Sequence, residues 1–241
     1  MGNLLMVAGA SLLGGIVQSV TGFGASIIIM IFLPVFLSMT AAPAVSDVIT
    51  MTLSFSMLWR YRTYVKLKNI LPSAMICVAA STIAIRQSAH LDSRILRLCF
   101  GIFLILLAGY FLLAAGKIRI RASVGMCVLC GVLSGICGGL FGISGPPASL
   151  YYLVSSETKE EYLGSLNGMF SIVVVFNIFT RAANGFITAS TFPHILIGIL
   201  AIQAGCVIGS RAANRISLET LKKSVYFLMV FAGAVSVYCA L

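Results

Sequence analysis

The chain has 241 residues, of which 60% are hydrophobic and 9% are charged, and its mean hydropathy is +1.08. An ordinary soluble domain carries about 25% charged residues, so this composition excludes that class and predicts a polytopic helical membrane protein. The apolar runs are continuous rather than alternating, which excludes a transmembrane β-barrel. The net charge of +10 is spread over short loops. It favours contact with anionic lipid head groups and gives no basic domain that would bind nucleic acid.

Ten apolar segments follow one another along the chain, and two of them are too short to cross a membrane. They cover roughly residues 3–20, 25–38, 41–59, 69–85, 94–115, 123–138, 145–154, 161–180, 191–209 and 220–240. A full crossing needs ~20 residues, so 25–38 and 145–154 fall short. Each of these follows a glycine-rich break. We therefore expect each to form a helical hairpin with the segment before it, with the tip inside the membrane.

The two breaks run from Thr21 to Ser26 and from Gly138 to Pro147. Backbone N–H and C=O groups that lose their helical partners in hydrocarbon cost several kcal/mol each, unless protein or a water-lined cavity satisfies them. Two such breaks at matching places in two half-chains predict a site for a polar solute between them.

The half-chains 1–118 and 119–241 are predicted to be repeats of about five helical elements each. Phe23-Gly24-Ala25-Ser26 matches Phe141-Gly142-Ile143-Ser144 at an offset of 118, and Pro72 matches Pro193 at an offset of 121. Because the number of elements per half is odd, the second copy starts on the opposite side of the membrane. The predicted fold is an all-α membrane protein with two inverted repeats in one transport domain. Each repeat starts with a Gly-broken helical hairpin.

The distribution of Lys and Arg predicts the topology. If each hairpin enters and returns, twelve of the sixteen basic residues fall on one side, and Arg86, Arg94, Arg97 and Arg181 fall on the other. The positive-inside rule then places both termini outside. Arg181 ends the eighth segment on the sparsely charged side, where it could attract anions, although we expect it to be solvated in a loop.

Three stretches point to a known family. They are Gly14-Gly15-Ile16-Val17-Gln18-Ser19-Val20-Thr21-Gly22-Phe23-Gly24 before Pro34, Gly131-Val132-Leu133-Ser134-Gly135-Ile136-Cys137-Gly138-Gly139-Leu140-Phe141-Gly142 before Pro146-Pro147, and Gly209-Ser210-Arg211-Ala212-Ala213-Asn214-Arg215. In these the chain resembles the sulfite exporter TauE/SafE family, also called the 4-toluene sulfonate uptake permease family, over essentially its whole length. The resemblance implies a transporter of sulfur-containing or organic anions such as sulfite, sulfonates or sulfoacetate-like compounds. We expect it in a bacterial inner (plasma) membrane, without a cofactor and with a coupling proton or sodium ion. A homo-oligomer stays open.

The chemistry of the breaks fits an anion. A helix N-terminus attracts anions through its unpaired N–H groups and its dipole, and helices are predicted to restart at Ala25 and near Ser144. The hydroxyls of Thr21, Ser26 and Ser144 add donors. The predicted substrate site, between two opposed half-helix N-termini, consists of Gln18, Thr21, Gly22, Phe23, Gly24, Ser26, Gly138, Gly139, Ser144, Gly145, Pro146 and Asn167.

Small residues also permit close packing of membrane helices. This is the role that we expect for Gly14, Gly15, Gly131 and Gly135, which lie before the break tips.

Asp47 is the only acidic residue set within an apolar run. An intramembrane carboxylate is a functional hypothesis by default, and we interpret Asp47 as a candidate for proton coupling. No metal site is predicted, because the Cys127-x-x-Cys130 spacing lacks a second pair of ligands.

Three other functions compete with that of a transporter. An intramembrane serine protease of the rhomboid type would use Ser144, but it needs a histidine within hydrogen-bond reach. His194 follows a proline at the start of a segment, so we expect it near the membrane surface. The sequence does not distinguish a transporter from an anion channel, and a structural membrane protein is a further alternative. The predicted function is non-enzymatic: a secondary transporter of small anions.

Overall fold

The computed structural model describes residues 2–113, 123–212, 230–238 and 240, and within these ranges the chain is helical, without any strand. The prediction of an all-α fold is confirmed. The helices are α1 (Gly2–Thr21), α2 (Ala25–Phe32), α3 (Ala41–Tyr61), α4 (Leu67–Ser88), α5 (Ser93–Leu113), α6 (Val124–Phe141), α7 (Gly145–Ser155), α8 (Lys159–Ala183), α9 (Phe192–Ala212) and α10 (230–238). Within the described ranges, α1, α3, α4, α6, α8 and α9 are long and apolar enough to cross a membrane.

Both predicted hairpins are present, since α1 packs on α2 and α6 packs on α7. Each hairpin turns within three residues. Gly24, directly before α2, has a φ of 112°, and Gly142, directly after α6, has a φ of 68°. Residues with a Cβ rarely adopt such angles, so these two glycines allow the reversal. The returning helices α2 and α7 have only 8 and 11 residues.

The directions of the helices follow from contacts along α8. Tyr162 donates to the Thr21 carbonyl and Asn167 pairs with Gln18, so α8 runs antiparallel to α1. The same helix runs parallel to α4, because its residues 168 and 177 contact residues 70 and 81. In turn, residues 131 and 139 of α6 contact residues 76 and 84 of α4, so these two helices are also parallel. Consequently α6 runs opposite to α1, as an inverted repeat requires.

Each half of the chain also packs its hairpin against a helix of the other half. The first helix of each hairpin packs on the fourth helix of the other half: α1 on α9, and α6 on α4. The predicted boundary between residues 118 and 119 lies outside the described residues. The symmetry relating the two halves stays a prediction that these contacts support.

Glycines bring these paired helices into backbone contact. Gly15 lies against the α9 backbone at residues 202–206, and Gly205 and Gly209 lie against α1 at Leu12 and Ile16. On α6, positions 131, 135 and 139 are glycines spaced four residues apart that face α4. Such small-residue contacts are typical of membrane helix interfaces. The packing role predicted for Gly15, Gly131 and Gly135 is confirmed, and Gly14 packs on Ala25 within its own hairpin.

The described basic residues gather at one end of the bundle. This end holds the α3–α4 connection, the start of α8 and the end of α9, which carry Arg60, Arg62, Lys66, Lys68, Lys159 and Arg211. The opposite end carries Arg86, Arg94 and Arg97. This division agrees with the predicted one for the described residues, with Arg181 as the exception treated below. Which end faces the cytoplasm stays a prediction.

We expect Gly205→Ala to destabilise the fold. A Cβ at this position would overlap the Leu12 carbonyl oxygen, and overpacking of this kind lowers the free energy of unfolding by about 1–3 kcal/mol. The measurement is the midpoint of thermal unfolding of the purified protein in detergent. Gly9→Ala is the matched control, because no atom lies within 4 Å of a Cβ built there. Equal midpoints for the two variants would contradict the close approach of α1 and α9.

Candidate functional site

A polar cavity lies between the two hairpins, α3 and α8. Its volume is about 40 Å³, and it is lined by Gln18, Phe23, Gly24, Ser26, Asp47, Thr50, Ser54, Gly142, Ser144, Gly145, Phe170, Val173, Val174 and Asn177. Both helix breaks therefore contribute to one cavity. Seven of the residues predicted from the sequence line it: Gln18, Phe23, Gly24, Ser26, Asp47, Ser144 and Gly145.

The first break is held by two side-chain amides. Gln18 accepts a hydrogen bond from the Ala25 N–H at 3.3 Å and donates to the Asn167 Oδ1 at 3.2 Å. Asn167 then donates to the Gly22 carbonyl at 3.3 Å and to the Leu163 carbonyl at 2.9 Å. Backbone groups on both sides of the break thus find partners inside the protein, as a break in a membrane requires. Asn167 does not line the cavity, but it holds Gln18 and Gly22 of the first break in place.

Thr21 is used within the turn. Its hydroxyl lies 2.9 Å from the Val17 carbonyl oxygen and 2.6 Å from the Phe23 carbonyl oxygen. The sequence suggested this hydroxyl as a donor to the anion. In the structure its hydrogen bonds close the chain reversal.

The two half-helices begin where the sequence predicted, but their N-termini differ in donors. At α2, Ala25 is engaged by Gln18 and Ile28 donates to the Gly24 carbonyl at 3.1 Å. Among the described residues, this leaves the N–H groups of Ser26 and Ile27 for a ligand. At α7, the two residues after Gly145 are prolines, which lack an N–H. Of the first three residues of α7, only Gly145 therefore has a backbone N–H.

The breaks meet through Phe23 and Gly145. A Cβ built on Gly145 would lie 3.1 Å from both the Cβ and the Cδ2 of Phe23. The absence of a side chain at this position lets the aromatic ring of one break sit directly against the backbone of the other.

The second break is held by a charged side chain. Arg181 is completely buried, and its Nη2 donates to the carbonyls of Gly138 and Gly139 at 2.9 and 2.8 Å. Its Nε donates to the Asp47 Oδ2 at 2.8 Å. The expectation of a solvated loop position for Arg181 was wrong. Arg181 thus donates to carbonyls in the last turn of α6, at the negative end of the helix dipole. The Gly138 carbonyl also accepts a hydrogen bond from the Gly142 N–H at 2.9 Å.

The remaining predicted residues have structural contacts at the second break. Gly139 packs against Ser81 and Ala84 of α4. Gly138 lies against the Ser144 side chain, and the Pro146 carbonyl accepts a hydrogen bond from Ser149 at 2.8 Å.

Sequence reasoning missed part of the cavity wall. Thr50 and Ser54 line the cavity together with Asp47. Positions 47, 50 and 54 are spaced by three and four residues, so they share one face of α3. This polar face in an apolar segment was a readable signal. Asn177, a polar residue of the apolar eighth segment and for that reason a candidate from the sequence, also lines the cavity, and its Oδ1 accepts a hydrogen bond from Ser81 at 2.7 Å.

The structure gives no support to a serine protease. Among the described residues, Ser144 has no hydrogen-bonded histidine, and His194 stacks on Phe36 with a centroid distance of 5.5 Å. His194 lies at the start of α9, near the end of the bundle, as the sequence predicted.

We expect Asn167→Ala to destabilise the first break. The change leaves Gln18 Nε2 and the Gly22 carbonyl without this partner, and a buried polar group left unsatisfied costs about 1–3 kcal/mol. The measurement is again the thermal unfolding midpoint. Asn69→Ala serves as control because Asn69 is exposed on α4. A midpoint for Asn167→Ala equal to that of the control would refute the supporting role of Asn167.

Comparison with known proteins identifies the family. The sequence model of the family described as "Sulfite exporter TauE/SafE" matches residues 7–236, nearly the whole chain. No curated protein and no solved structure showed a significant match. The matched region contains both helix breaks and every residue that lines the cavity. The chain therefore belongs to the sulfite exporter TauE/SafE family of membrane transporters.

Proposed function

We propose that the protein is a secondary transporter that carries small sulfur-containing or organic anions, such as sulfite, sulfonates or sulfoacetate-like compounds, through the cavity between the two hairpins. The observation that carries this proposal is that both helix breaks line one polar cavity. Broken helices whose tips enclose a site are a recurrent design in secondary transporters. Membership of the family supports anion transport but leaves the substrate to experiment.

The donors around the cavity suit an oxyanion. Ser26 and Ser144 supply hydroxyls, and the start of α2 supplies N–H groups with a favourable helix dipole. These donors are neutral. Neutral donors bind an anion reversibly, which a transporter requires at each cycle.

The size of the cavity favours a small solute. One water molecule needs roughly 10–15 Å³ of such space, and the cavity has about 40 Å³. This is room for an anion of a few heavy atoms in the observed conformation. Sulfite or a short sulfonate fits this limit better than an aromatic sulfonate does.

The arrangement of helices supports alternating access. The hairpins run in opposite directions and each is attached to a helix of the other half, as described above. If the positive-inside rule holds, the end with Arg60, Lys66 and Arg211 faces the cytoplasm. The start of α1 then faces outside, and the expected location is a bacterial inner membrane.

Binding of a panel of anions tests the proposal directly. The purified protein is heated with sulfite, thiosulfate, methanesulfonate, sulfoacetate or acetate. A ligand at 100 times its dissociation constant stabilises a protein by ~2.7 kcal/mol if it binds only the folded state. We expect selective stabilisation by one or more sulfur oxyanions. The absence of stabilisation by every anion would overturn the proposed function.

We expect Gly145→Val to weaken anion binding and to slow transport. The new side chain would meet Phe23 and fill space between the breaks, so the affinity should fall at least about tenfold, or ~1.4 kcal/mol. The measurements are the anion-dependent shift in unfolding and exchange of labelled sulfite in proteoliposomes. Gly145 is preferred to Gly24, whose φ of 112° makes any substitution strain the backbone.

Gly125→Val is the matched control, because no atom lies within 4 Å of a Cβ at Gly125. Unchanged exchange by Gly145→Val would remove the cavity from the pathway. Exchange assays also separate a channel from a transporter, since only a transporter shows saturable acceleration of labelled uptake by unlabelled anion on the opposite side.

A further inference from the structure

Asp47 and Arg181 form a buried ion pair at the edge of the cavity. The exposed fractions of their side chains are 6% and 0%, and the Nε–Oδ2 distance is 2.8 Å. Asp47 lines the cavity, whereas Arg181 lies behind it against the carbonyls at the end of α6. The carboxylate is therefore the charged group that an entering anion meets first.

Because the negative Asp47 lies nearer the cavity than the positive Arg181, an entering anion is repelled. The ion pair is neutral as a unit, so it offers no net attraction, and its nearer member has the same sign as the solute. Like charges within a few ångströms repel strongly in an environment of low dielectric constant. Binding needs a change in the charge of the pair.

We propose that Asp47 takes up a proton when an anion binds, so that Arg181 supplies the net positive charge and the protein carries the anion and the proton together. This inference rests on the proposed anion transport. The step is a simple protonation: a proton from the aqueous side adds to the Asp47 carboxylate and leaves again when the anion is released.

Arg181 is built to remain in place during this change. Its Nη2 is held by two carbonyl oxygens of α6 independently of Asp47, and a guanidinium stays charged in proteins. Its Nη1 is buried and has no hydrogen-bond partner among the described residues. A protonated Asp47 no longer balances this fixed charge, and an anion in the cavity does.

In the described part of the chain, the electrostatic surroundings of Asp47 contain one charged side chain. Arg181 is the charged side chain that acts on it. On α9, which packs on α3, His194 lies against Phe36, while Cys206 lies near Arg60 at the far end of α3.

The hairpins likewise place no charge beside Asp47. On α6, the free cysteine Cys137 lies near the free cysteine Cys77 of α4. The cavity residues from α1, α2 and the second break are uncharged. A change in the charge of Asp47 is therefore felt by Arg181 and by the cavity.

A second ion pair in the protein provides a contrast. Lys66 and Glu161 lie 3.0 Å apart at the end of the bundle, and the Lys66 side chain is 54% exposed. Water screens this pair, and it is separate from the cavity. Glu161→Gln is therefore a matched control for Asp47→Asn. Each change neutralises the acidic member of an ion pair in which one of the two residues lies on α8.

The experiment measures protons taken up with the anion by the purified full-length protein. Methanesulfonate is the first probe, because it stays ionised throughout the working pH range and any proton taken up is the protein's own. Titrations in weakly buffered solution with a pH indicator should show about one proton per bound anion, and affinity should decrease as pH rises. Sulfite is the second probe, evaluated as the difference between wild type and variant so that its own titration cancels.

The Asp47→Asn variant should bind methanesulfonate without proton uptake and without dependence on pH. Its affinity at alkaline pH should exceed that of the wild type by roughly 5–150-fold, the usual range of coupling between two ligands. In proteoliposomes it should exchange labelled anion but fail to accumulate it along a proton gradient. Glu161→Gln should behave as the wild type does.

Each outcome has a distinct meaning. Binding by the wild type without proton uptake, or gradient-driven accumulation retained in Asp47→Asn, overturns proton coupling and leaves anion transport standing. Failure of the wild type to bind either probe or any other anion of the panel overturns both proposals. If Asp47→Asn does not fold because Arg181 is left unpaired, the wild-type proton count still decides. The double change Asp47→Asn with Arg181→Gln, which removes both charges, should then bind without proton uptake and more weakly than the wild type.

Discussion

The need to satisfy backbone groups at the two helix breaks shapes the centre of this protein. The turn residues 22–24 and 142–144 are buried or half-buried in the protein, so side chains replace missing helical partners there. A single helix, α8, provides the hydrogen-bonding side chain at both breaks. Asn167 donates to the first break, and Arg181 donates to the second. These residues are 14 positions apart, or ~21 Å along a helix. The cavity forms beside α8, between its two attachment points.

The two attachments use different chemistry. At the first break, neutral amides of Gln18 and Asn167 pair with each other and with backbone groups. At the second, a guanidinium satisfies two carbonyls and therefore brings a charge into the interior. A buried charge needs a partner, which explains why Asp47 is set into α3 opposite it. A buried ion pair contributes little to stability by itself, but at the wall of a cavity it connects protonation to the occupancy of the site.

The glycines divide into two groups with different tasks. Gly24 and Gly142 have positive φ angles and allow the chain to reverse. Gly15, Gly135 and Gly205 have no side chain where α1 meets α9 and where α6 meets α4. These close contacts attach each hairpin to the opposite half of the chain. The hairpin turns and the interfaces between halves thus depend on the same residue type for separate physical reasons.

The sequence by itself determined the membrane class, the helical segments, both hairpins and the place of both half-helix starts. The membrane class, the helices and the hairpins follow from hydropathy, segment length and glycine clusters. Each of these is a local property of the sequence and can be read without knowledge of tertiary contacts. It also singled out Asp47, because a carboxylate in an apolar run is conspicuous. Only the tertiary structure decided its pairing with Arg181, the inward direction of Arg181, the structural use of Thr21 and Gly139, and the share of Thr50 and Ser54 in the cavity. These features depend on which residues of distant helices come into contact. Such contacts cannot be derived from the position of a residue along the chain.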